Sequence, residues 1–345
     1  MVLPSGGELT TELRSAGIEV IVRPLGVLRR GLMKPSGLAR ITAAAALDSA
    51  ALGRLVRRRR LALVHSNTSV VLGGAGAAAL ARVPHVWHVR EIYAGFDRAW
   101  AGYRRLLASA AALPCVSSAT ASQFASNVRA RVIPDGLAAD VKVVARGAAR
   151  AALELDEGSP TIACIARISD WKGQDVLLRS LATDPMRARR VVGLIAGQPW
   201  PGAEGRLAAL RRLAVELGVD DRVRFLGFRD DLGTVLGAAD LIAVPSVRPD
   251  PLPGSAIEAA AAGCTVIASN HGGLPEIIRD RRTGRLFAPG DADALSRVAA
   301  ELLDDEPKRS RLGQAAAADV RARFAPGQLL SALQSLYDEL LGSAA

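Results

Sequence analysis

The chain has 345 residues, half of them hydrophobic, which predicts a globular protein of two domains and excludes a disordered chain. Its net charge is +10, and the excess lies in residues 1–150, where 21 Lys and Arg stand against 8 Asp and Glu. Because the sequence shows no apolar run of membrane-spanning length and no signal-peptide core, and its three cysteines lie apart in apolar runs, we expect a cytoplasmic protein with reduced thiols.

Short β-branched runs alternate with helical stretches along the chain. In order they read IEVIVRP, LALVHSN, HVWHVRE, LPCVSS, RVIPD, TIACIAR, VVGLIAG, RVRFLGF, DLIAVPS and CTVIAS. Runs that are apolar on both faces are typical of buried parallel strands, so two β/α sets predict two doubly wound, Rossmann-like domains. We expect the domains at residues 1–145 and 146–325, a linker within 136–159, and a terminal helix at 326–345.

In the first half, polar residues lie at the end of the strand PHVWHV and after it. His88 comes first, with Arg90 and Glu91 after it. Ligands of open α/β sheets bind at the carboxyl ends of strands, so His88 is a candidate site residue, although a satisfied structural histidine fits the sequence equally well. The glycine-rich GGAGAA at 73–78 is only a weak match to a dinucleotide fingerprint, because another segment separates it from the preceding strand.

In the second half, one cation ends the strand TIACIAR and another follows it. Arg167 ends the run and Lys172 lies five residues on, before a glycine and a helix. Together they can straddle a diphosphate, the first as a fork and the second as a point charge. The alternative is a solvated loop in which Asp170 pairs with Lys172. The chain has only four lysines, which favours a function for this one.

The segment RPDPLPGSAIEAAAAG places Asp250 and Glu258 eight positions apart, across a proline-stiffened loop and into an alanine-rich helix. Leu252, Gly254 and Ser255 keep their backbone N–H groups, which can bind anions or hydroxyls at the start of the helix. Glu258 can accept two hydrogen bonds from a vicinal diol such as a ribose. The alternative is a turn aspartate and a glutamate that favours the helix dipole.

Two further acidic or glycine-containing segments follow. In SNHGGLPEI, His271 precedes Gly272 and Gly273, and such a glycine pair permits close approach of the backbone to a ligand. The acids of DAD at 291–293 are better explained as a helix N-cap than as a metal pair. Since no His/Cys cluster has metal-ligand spacing either, we expect no metal cofactor.

Five segments, taken in order, resemble the retaining glycosyltransferases of family 4. They read HSNTSVVL…PHVWHVRE, VIPDGL, ARISDWKGQDVLL, FLGFRDDL…ADLIAVPS and DPLPGSAIEAAAAGCTVIASNHGGLPEII. The last is similar to that family's E-x7-E motif, with Asp250 in place of the first glutamate. The resemblance implies the GT-B fold, in which two Rossmann-like domains face a cleft, the first on the acceptor side and the second binding the donor.

For the donor, the resemblance implies a nucleotide-diphosphate sugar of the UDP or GDP type and no metal. Glu258 would hold the ribose hydroxyls, and Asp250 with the backbone of 252–255 would meet the sugar. Arg167 and Lys172 would neutralise the diphosphate as it leaves.

For the rest of the site, the resemblance implies that the backbone at Gly227 and Phe228 receives the base and that His88 faces the reacting centre. The acceptor would be a glycan, a lipid-linked molecule or a small molecule. Two alternatives stay open, a GT-B sugar-nucleotide epimerase and a non-catalytic nucleotide-sugar-binding protein.

The start of the chain departs from this family, which opens with a strand and a Gly-Gly loop before a long helix. Only twelve residues run from Gly7 to Ile18. We therefore expect the N-terminal domain to lack its first strand and glycine loop, and the chain to be a fragment of a longer, more active protein.

The basic first half predicts a surface for an anionic partner. It includes RRRR at 57–60 and also Arg29, Arg30, Lys34 and Arg40. An anionic membrane, at the inner face of the plasma membrane, or an anionic acceptor fits this charge, while a general arginine bias is the alternative. No nucleic-acid partner is expected, because no aromatic platform or recognition motif accompanies the charge.

Overall fold

A computed structural model of the chain describes residues 1–28, 35–93, 97–125, 128–137 and 142–342. The chain divides into two compact units. Unit 1 comprises residues 1–116, 120–133 and 333–345, and unit 2 comprises 117–119 and 134–332. This division follows contacts between residues, whereas the domain limits at 145 and 325 follow composition, and those limits stay a prediction.

The chain up to residue 133 alternates strands and helices. In order these are β1 (Val2–Leu3), α1 (Glu8–Ser15), β2 (Ile21–Val22), α2 (Pro35–Arg58), β3 (Val64–Ser66), α3 (Gly73–Ala81), β4 (His85–Trp87), α4 (Asp97–Ala108), β5 (Leu113–Cys115), α5 (Ser118–Ala121) and β6 (Ala130–Val132). β1 pairs with β2, β3 with β4 and β5 with β6, all in parallel. A parallel bridge between Val86 and Ala112 joins β4 to β5.

The first residues form a strand, a glycine-containing loop and a helix. β1 pairs with β2 in the register Val2↔Ile21, and Gly6 and Gly7 lead into α1. The structure therefore has a strand before its first helix, and the expectation that the family's own first strand and glycine loop are missing stays a prediction. Two apolar residues are too short a run to give a strand signal in the sequence.

The glycines of GGAGAA serve helix packing. A Cβ added at Gly73 would lie 2.5 Å from Asp48 Cβ, and one added at Gly76 would lie 2.1 Å from Ser49 Oγ. Both partners are on α2, so the glycines let α3 approach α2 more closely than side chains would permit. This packing accounts for the weak fingerprint match without a nucleotide.

α2 presents an outward stripe of arginine and leucine. Leu47 is 72% exposed, and Arg40 and Arg54, seven residues away on either side, are exposed on the same face. The predicted basic residues at 29, 30 and 34 lie outside the described residues. Among the helices that the structure describes, none combines the length and the apolar character needed to cross a membrane.

The second part of the chain continues the alternation. Its elements are α6 (Arg146–Ala152), β7 (Thr161–Ile165), α7 (Gln174–Leu181), α8 (Asp184–Ala188), β8 (Val192–Ala196), α9 (Gly205–Glu216), β9 (Val223–Gly227), α10 (Leu232–Ala238), β10 (Leu241–Val244), α11 (Gly254–Ala261), β11 (Val266–Ser269), α12 (Leu274–Ile277), β12 (Arg285–Phe287), α13 (Ala292–Asp304), α14 (Glu306–Arg323) and α15 (Pro326–Gly342).

Unit 2 is built on one parallel sheet of six strands in the order β12-β11-β10-β7-β8-β9. Hydrophobic clusters cover both faces, and adjacent residues of β7, Ile162 and Ala163, are fully buried in different clusters. This confirms the predicted doubly wound arrangement. The strand order reverses between β7 and β10, and ligands of such sheets bind at the carboxyl ends of the strands flanking that point.

Two buried arginines tie loops of unit 2 together. Arg150 is fully buried and donates to the backbone carbonyls of Ala238, at 2.9 Å, and Asp156, at 2.5 Å. Arg222 donates to the carbonyl of Leu181 at 3.2 Å. A guanidinium has five N–H donors, so each arginine can satisfy several buried carbonyls at once.

Candidate functional site

The loops that follow β7 and β10 lie against each other. Gly173 has φ +73°, and a Cβ added there would lie 1.8 Å from the carbonyl oxygen of Pro245. The amide of Val247 donates to the carbonyl of Trp171 at 2.8 Å. Only glycine fits this contact, which brings together the two loops that carry Lys172 and Asp250.

Lys172 and Asp250 form an ion pair at this point of the sheet. Lys172 Nζ lies 2.5 Å from Asp250 Oδ2, and the two side chains are 17% and 5% exposed. Ser246 Oγ donates to the same oxygen at 3.4 Å. The acid expected in the solvated-loop alternative, Asp170, pairs with Arg248 at 3.1 Å. The structure thus joins the two candidates from separate loops in a largely water-excluded pair.

Glu258 lies on α11 among buried apolar neighbours, namely Ala256, Ile257, Ala259, Ala260 and Ala261. It is half-buried, and burial raises the pKa of its carboxyl group. Within the described part of the chain, its carboxylate has no hydrogen-bond or ion-pair partner. A buried carboxylate without partners is costly, so this position favours a ligand that donates hydrogen bonds.

The start of α11 leaves backbone donors open. Pro253 is the N-cap and supplies no side-chain hydrogen bond. Among the described contacts, the amides of Leu252, Gly254 and Ser255 make no backbone hydrogen bond. These are the N–H groups that the sequence singles out for anions or hydroxyls, and their role in binding stays a prediction.

Arg167 lies against an aromatic side chain that the sequence analysis missed. Its Cζ is 3.7 Å from the centroid of the Trp200 ring, which follows β8. Trp200 is 58% exposed. Aromatic residues are only 4% of the chain, and a tryptophan just after a buried strand was the available signal.

A pocket of about 520 Å³ opens at the carboxyl ends of β8 and β9. Its lining residues are Gly197, Gln198, Pro199, Pro201, Glu204, Leu207, Arg211, Phe225, Leu226 and Gly227. The backbone at Gly227 and Phe228 was predicted to receive the nucleobase of the donor. Gly227 lines the pocket, and Phe228 is 69% exposed. The pocket supplies apolar surface together with one acidic and one basic side chain.

The predicted glycine pair approaches backbone, not open space. A Cβ added at Gly272 would lie 2.4 Å from Asp250 O, and one added at Gly273 would lie 2.1 Å from Pro251 O. His271 Nε2 lies 2.7 Å from the carbonyl oxygen of Ser246. These residues hold the loop that carries Asp250, while direct contact with a ligand stays a prediction.

In unit 1, His88 follows β4 and is 1% exposed. Neither ring nitrogen makes a hydrogen bond of standard geometry. Burial, with the positive charge of Arg90 and the nearby His65, lowers the pKa of His88 to about 3, against a smaller opposing effect of the Ile133 backbone. His88 is therefore neutral at pH 7, and its weak hydrogen bond to the Ile133 backbone leaves one ring nitrogen for another partner.

The described residues contain no group of three or more His, Cys, Asp or Glu side chains placed to hold a metal ion. Asp291 begins α13 as its N-cap, and its Oδ1 accepts a hydrogen bond from the Ala294 amide at 2.8 Å. This confirms the N-cap interpretation of the DAD segment.

Family models match both parts of the chain. One described as Glycosyl transferases group 1 matches residues 145–319, and one described as Glycosyltransferase Family 4 matches residues 7–141. The second match begins at Gly7, the glycine that precedes α1.

Two relatives illustrate the similarity in sequence. A D-inositol 3-phosphate glycosyltransferase of Corynebacterium efficiens is 40% identical over 184 residues, 52% of this chain and 42% of that relative. The chain thus matches less than half of that relative's length. A GDP-mannose-dependent alpha-(1-6)-phosphatidylinositol monomannoside mannosyltransferase of Mycobacterium tuberculosis is 31% identical over 299 residues, 78% of this chain and 75% of the relative.

The fold is also that of solved structures. The Anabaena protein HepE, crystallised in complex with UDP and glucose, superposes with a TM-score of 0.82 at 23% identity, over 98% of this chain and 90% of that one. This likeness confirms the GT-B fold that the sequence predicts.

Proposed function

Because this chain belongs to the glycosyl transferases group 1 family, we propose that it transfers a sugar from a nucleotide-diphosphate sugar to a hydroxyl acceptor, with retention of anomeric configuration. The observation that carries the proposal is the Lys172–Asp250 pair at the strand-order reversal of unit 2, together with the unpartnered carboxylate of Glu258. The cation Lys172 suits a diphosphate, the acid Asp250 suits the hydroxyls of a sugar, and the free carboxylate of Glu258 suits the hydroxyls of a ribose.

The chemistry needs a positive charge that meets the leaving group. The bond between the anomeric carbon and the diphosphate oxygen breaks, and its electron pair stays on the diphosphate. The acceptor oxygen attacks the same face of the sugar, and its proton passes to a donor phosphate oxygen. Lys172 and Arg167 stabilise the developing charge, and one such preplaced group is commonly worth about 3 kcal/mol. No metal is then required.

The ion pair has a role before the donor binds. A lone buried ammonium is costly, and Asp250 offsets that cost until a diphosphate replaces it as the partner of Lys172. Asp250 is then released to accept hydrogen bonds from the donor sugar. Asp250 reaches less far than a glutamate, which suits this exchange because it keeps the acid within contact of the lysine.

The pocket at β8 and β9 is the proposed place of the base, with Glu258 holding the ribose. The M. tuberculosis relative is named as GDP-mannose-dependent, and HepE was crystallised with UDP, so both nucleotide types belong in the test. The names of the relatives include an inositol phosphate and a phosphatidylinositol mannoside as acceptors. We therefore propose a glycan, lipid-linked or small polyol acceptor, bound in unit 1 next to His88.

Unit 1 also carries the proposed contact with a membrane. The stripe of Arg40, Leu47 and Arg54 on α2 pairs exposed charge with an exposed apolar side chain. Such a face suits peripheral binding to an anionic leaflet on the cytoplasmic side, where a lipid-linked acceptor would be found.

The test is a thermal-shift panel of UDP- and GDP-sugars, followed by donor consumption with and without acceptor. A ligand at 100 times its Kd stabilises by about 2.7 kcal/mol. We expect stabilisation by one nucleotide class, consumption that depends on the acceptor, and a product whose anomeric proton shows the donor's configuration by NMR. Conversion of the donor without acceptor would indicate an epimerase, and binding without any turnover a non-catalytic protein. An EDTA arm tests the independence from metal.

A further inference from the structure

The C-terminal helix α15 brings a tyrosine to the histidines of unit 1. Tyr337 Oη makes a hydrogen bond with Nδ1 of His65, and the two rings meet edge-on with centroids 5.8 Å apart. Two residues further on, Glu339 forms a bidentate pair with Arg131 of β6, at 2.6 Å for both contacts. Since the residues from 333 onward belong to unit 1, all of these contacts lie within one unit.

His65 in turn packs against His88. Their ring centroids are 5.6 Å apart, with the planes tilted by 34°. Three ring nitrogens of the pair, Nε2 of His65 and both nitrogens of His88, are buried without a hydrogen-bond partner of standard geometry. The Ile133 backbone is a weak partner of His88. Since buried polar atoms in native proteins are nearly always paired, the remaining nitrogens have capacity for hydrogen bonds to water or to a hydroxyl group.

The protonation states of His65 and Tyr337 decide which nitrogen of His65 carries the proton. Burial and the charge of Arg90 lower the pKa of His65 to about 4, so both imidazoles are neutral at pH 7. A neutral imidazole has one N–H donor and one acceptor nitrogen, and a hydrogen bond at one nitrogen decides which is which. Burial raises the pKa of Tyr337, so its hydroxyl keeps its proton. A phenol that donates to Nδ1 of His65 leaves the imidazole proton on Nε2.

We propose that Tyr337 is a positioning residue: through its hydrogen bond it fixes His65 in the Nε2–H tautomer and in one orientation against His88. The C-terminal helix thereby completes the histidine site of unit 1. The consequence for turnover rests on the proposed function, whereas the tautomer and orientation of His65 do not.

The first experiment measures tautomers by NMR on ¹⁵N-histidine-labelled protein. The unsubstituted chain should show His65 in the single Nε2–H form. Tyr337→Phe, which removes one oxygen, should give a mixture of tautomers and shift the His88 resonances, with the fold retained. Glu339→Gln is the matched control on the same helix and should leave both histidines unchanged. An unchanged His65 tautomer in Tyr337→Phe overturns the proposal, and so does a control that changes His65 as much as the phenylalanine does.

The second experiment separates positioning from structure by kinetics. We expect Tyr337→Phe to lower kcat by about five- to tenfold, the range that one hydrogen bond supplies, with an unchanged KM for the donor. An unchanged kcat contradicts the positioning role. If the unsubstituted chain transfers no sugar to any acceptor, the proposed function fails, and the tautomer measurement alone then decides the role of Tyr337. If Tyr337→Phe does not fold, His65→Asn, which keeps a group at the Nδ1 position and removes Nε2, should show the same loss in kcat.

Discussion

Glu258 is a half-buried carboxylate on α11, and the alanine and isoleucine residues next to it in sequence are buried. Replacing it with Gln removes the charge and keeps the shape. We expect donor affinity to fall by about 10- to 100-fold, since hydrogen bonds to a charged group are worth about 1.5–3 kcal/mol. Calorimetry on both proteins measures this difference. Glu216→Gln, at the exposed end of α9, is the control, and equal affinities in all three proteins would contradict the ribose role.

The same residue predicts a pH dependence of stability. Burial raises the pKa of Glu258, so the folded state holds the proton more tightly than the unfolded chain does. The stability from this proton is complete below the usual carboxyl pKa of about 4.3 and is lost as the pH rises through the raised value. Relative to Glu258→Gln, the unsubstituted chain should therefore lose free energy of unfolding over that rise. Urea denaturation of both proteins at several pH values tests this, and a constant difference would refute it.

Lys172 predicts a different kinetic signature. The negative charge that it meets grows as the diphosphate leaves, so Lys172→Ala should lower kcat by about 100-fold or more and change the donor KM much less. Lys308→Ala, which removes another lysine of unit 2 from its surface pair with Glu301, should leave both constants unchanged. If initial rates show an effect on KM alone, Lys172 contributes plain ground-state binding.

At the scale of elements, the contact between α2 and α3 depends on small residues. Gly76→Ala would place a Cβ 2.1 Å from Ser49 Oγ, and overpacking of this kind costs about 1–3 kcal/mol. Gly102→Ala in α4 is the matched control, because a Cβ there meets nothing within 4 Å, and it should stabilise by about 0.5–1 kcal/mol. Chemical denaturation compares the two. The two free-energy changes need not be equal in size. A Gly76→Ala variant that is more stable than the unsubstituted chain would contradict the prediction, because it would show that α2 and α3 can move apart without cost.

The strands that the sequence predicts are those with a long apolar run. β2 to β11 all overlap predicted runs, while β1 and β12 were missed. β12 contains only three residues and opens with Arg285, whose charge is held by Glu301 at 2.8 Å and is therefore compatible with a sheet edge. A pattern of apolar residues cannot reveal this strand, because its first side chain is charged and its charge is neutralised by Glu301 on α13.

The site was predictable to the extent that it is local in sequence. Asp250 and Glu258 lie on one motif, and their spacing of eight positions was the basis for predicting a donor-binding loop there. The pairing of Asp250 with Lys172 did not follow, since the two residues are 78 positions apart. His65 and Tyr337 are separated by 272 residues, and no local pattern relates them. Only the fold brings such residues into contact.

At the scale of the whole molecule, the uneven charge predicts salt-dependent binding to anionic vesicles. Each basic residue near such a surface is worth about 1 kcal/mol, so Arg54→Glu on α2 should weaken binding at least fivefold. Arg321→Glu, on α14 of unit 2, changes the net charge equally and should have little effect. Vesicle co-sedimentation at low and high salt measures both. Equal losses in the two variants would indicate that net charge alone governs binding.

The forty arginines of the chain do not all meet the solvent equally. Arg150 and Arg222 are 0% and 7% exposed, with their donors on backbone carbonyls, so a dicarbonyl reagent reaches them only after unit 2 opens. Exposed arginines would be labelled at once, and these two at the rate of opening. The rate at which Arg150 and Arg222 are modified therefore reports the opening of unit 2, and a ligand that binds folded unit 2 would slow that modification.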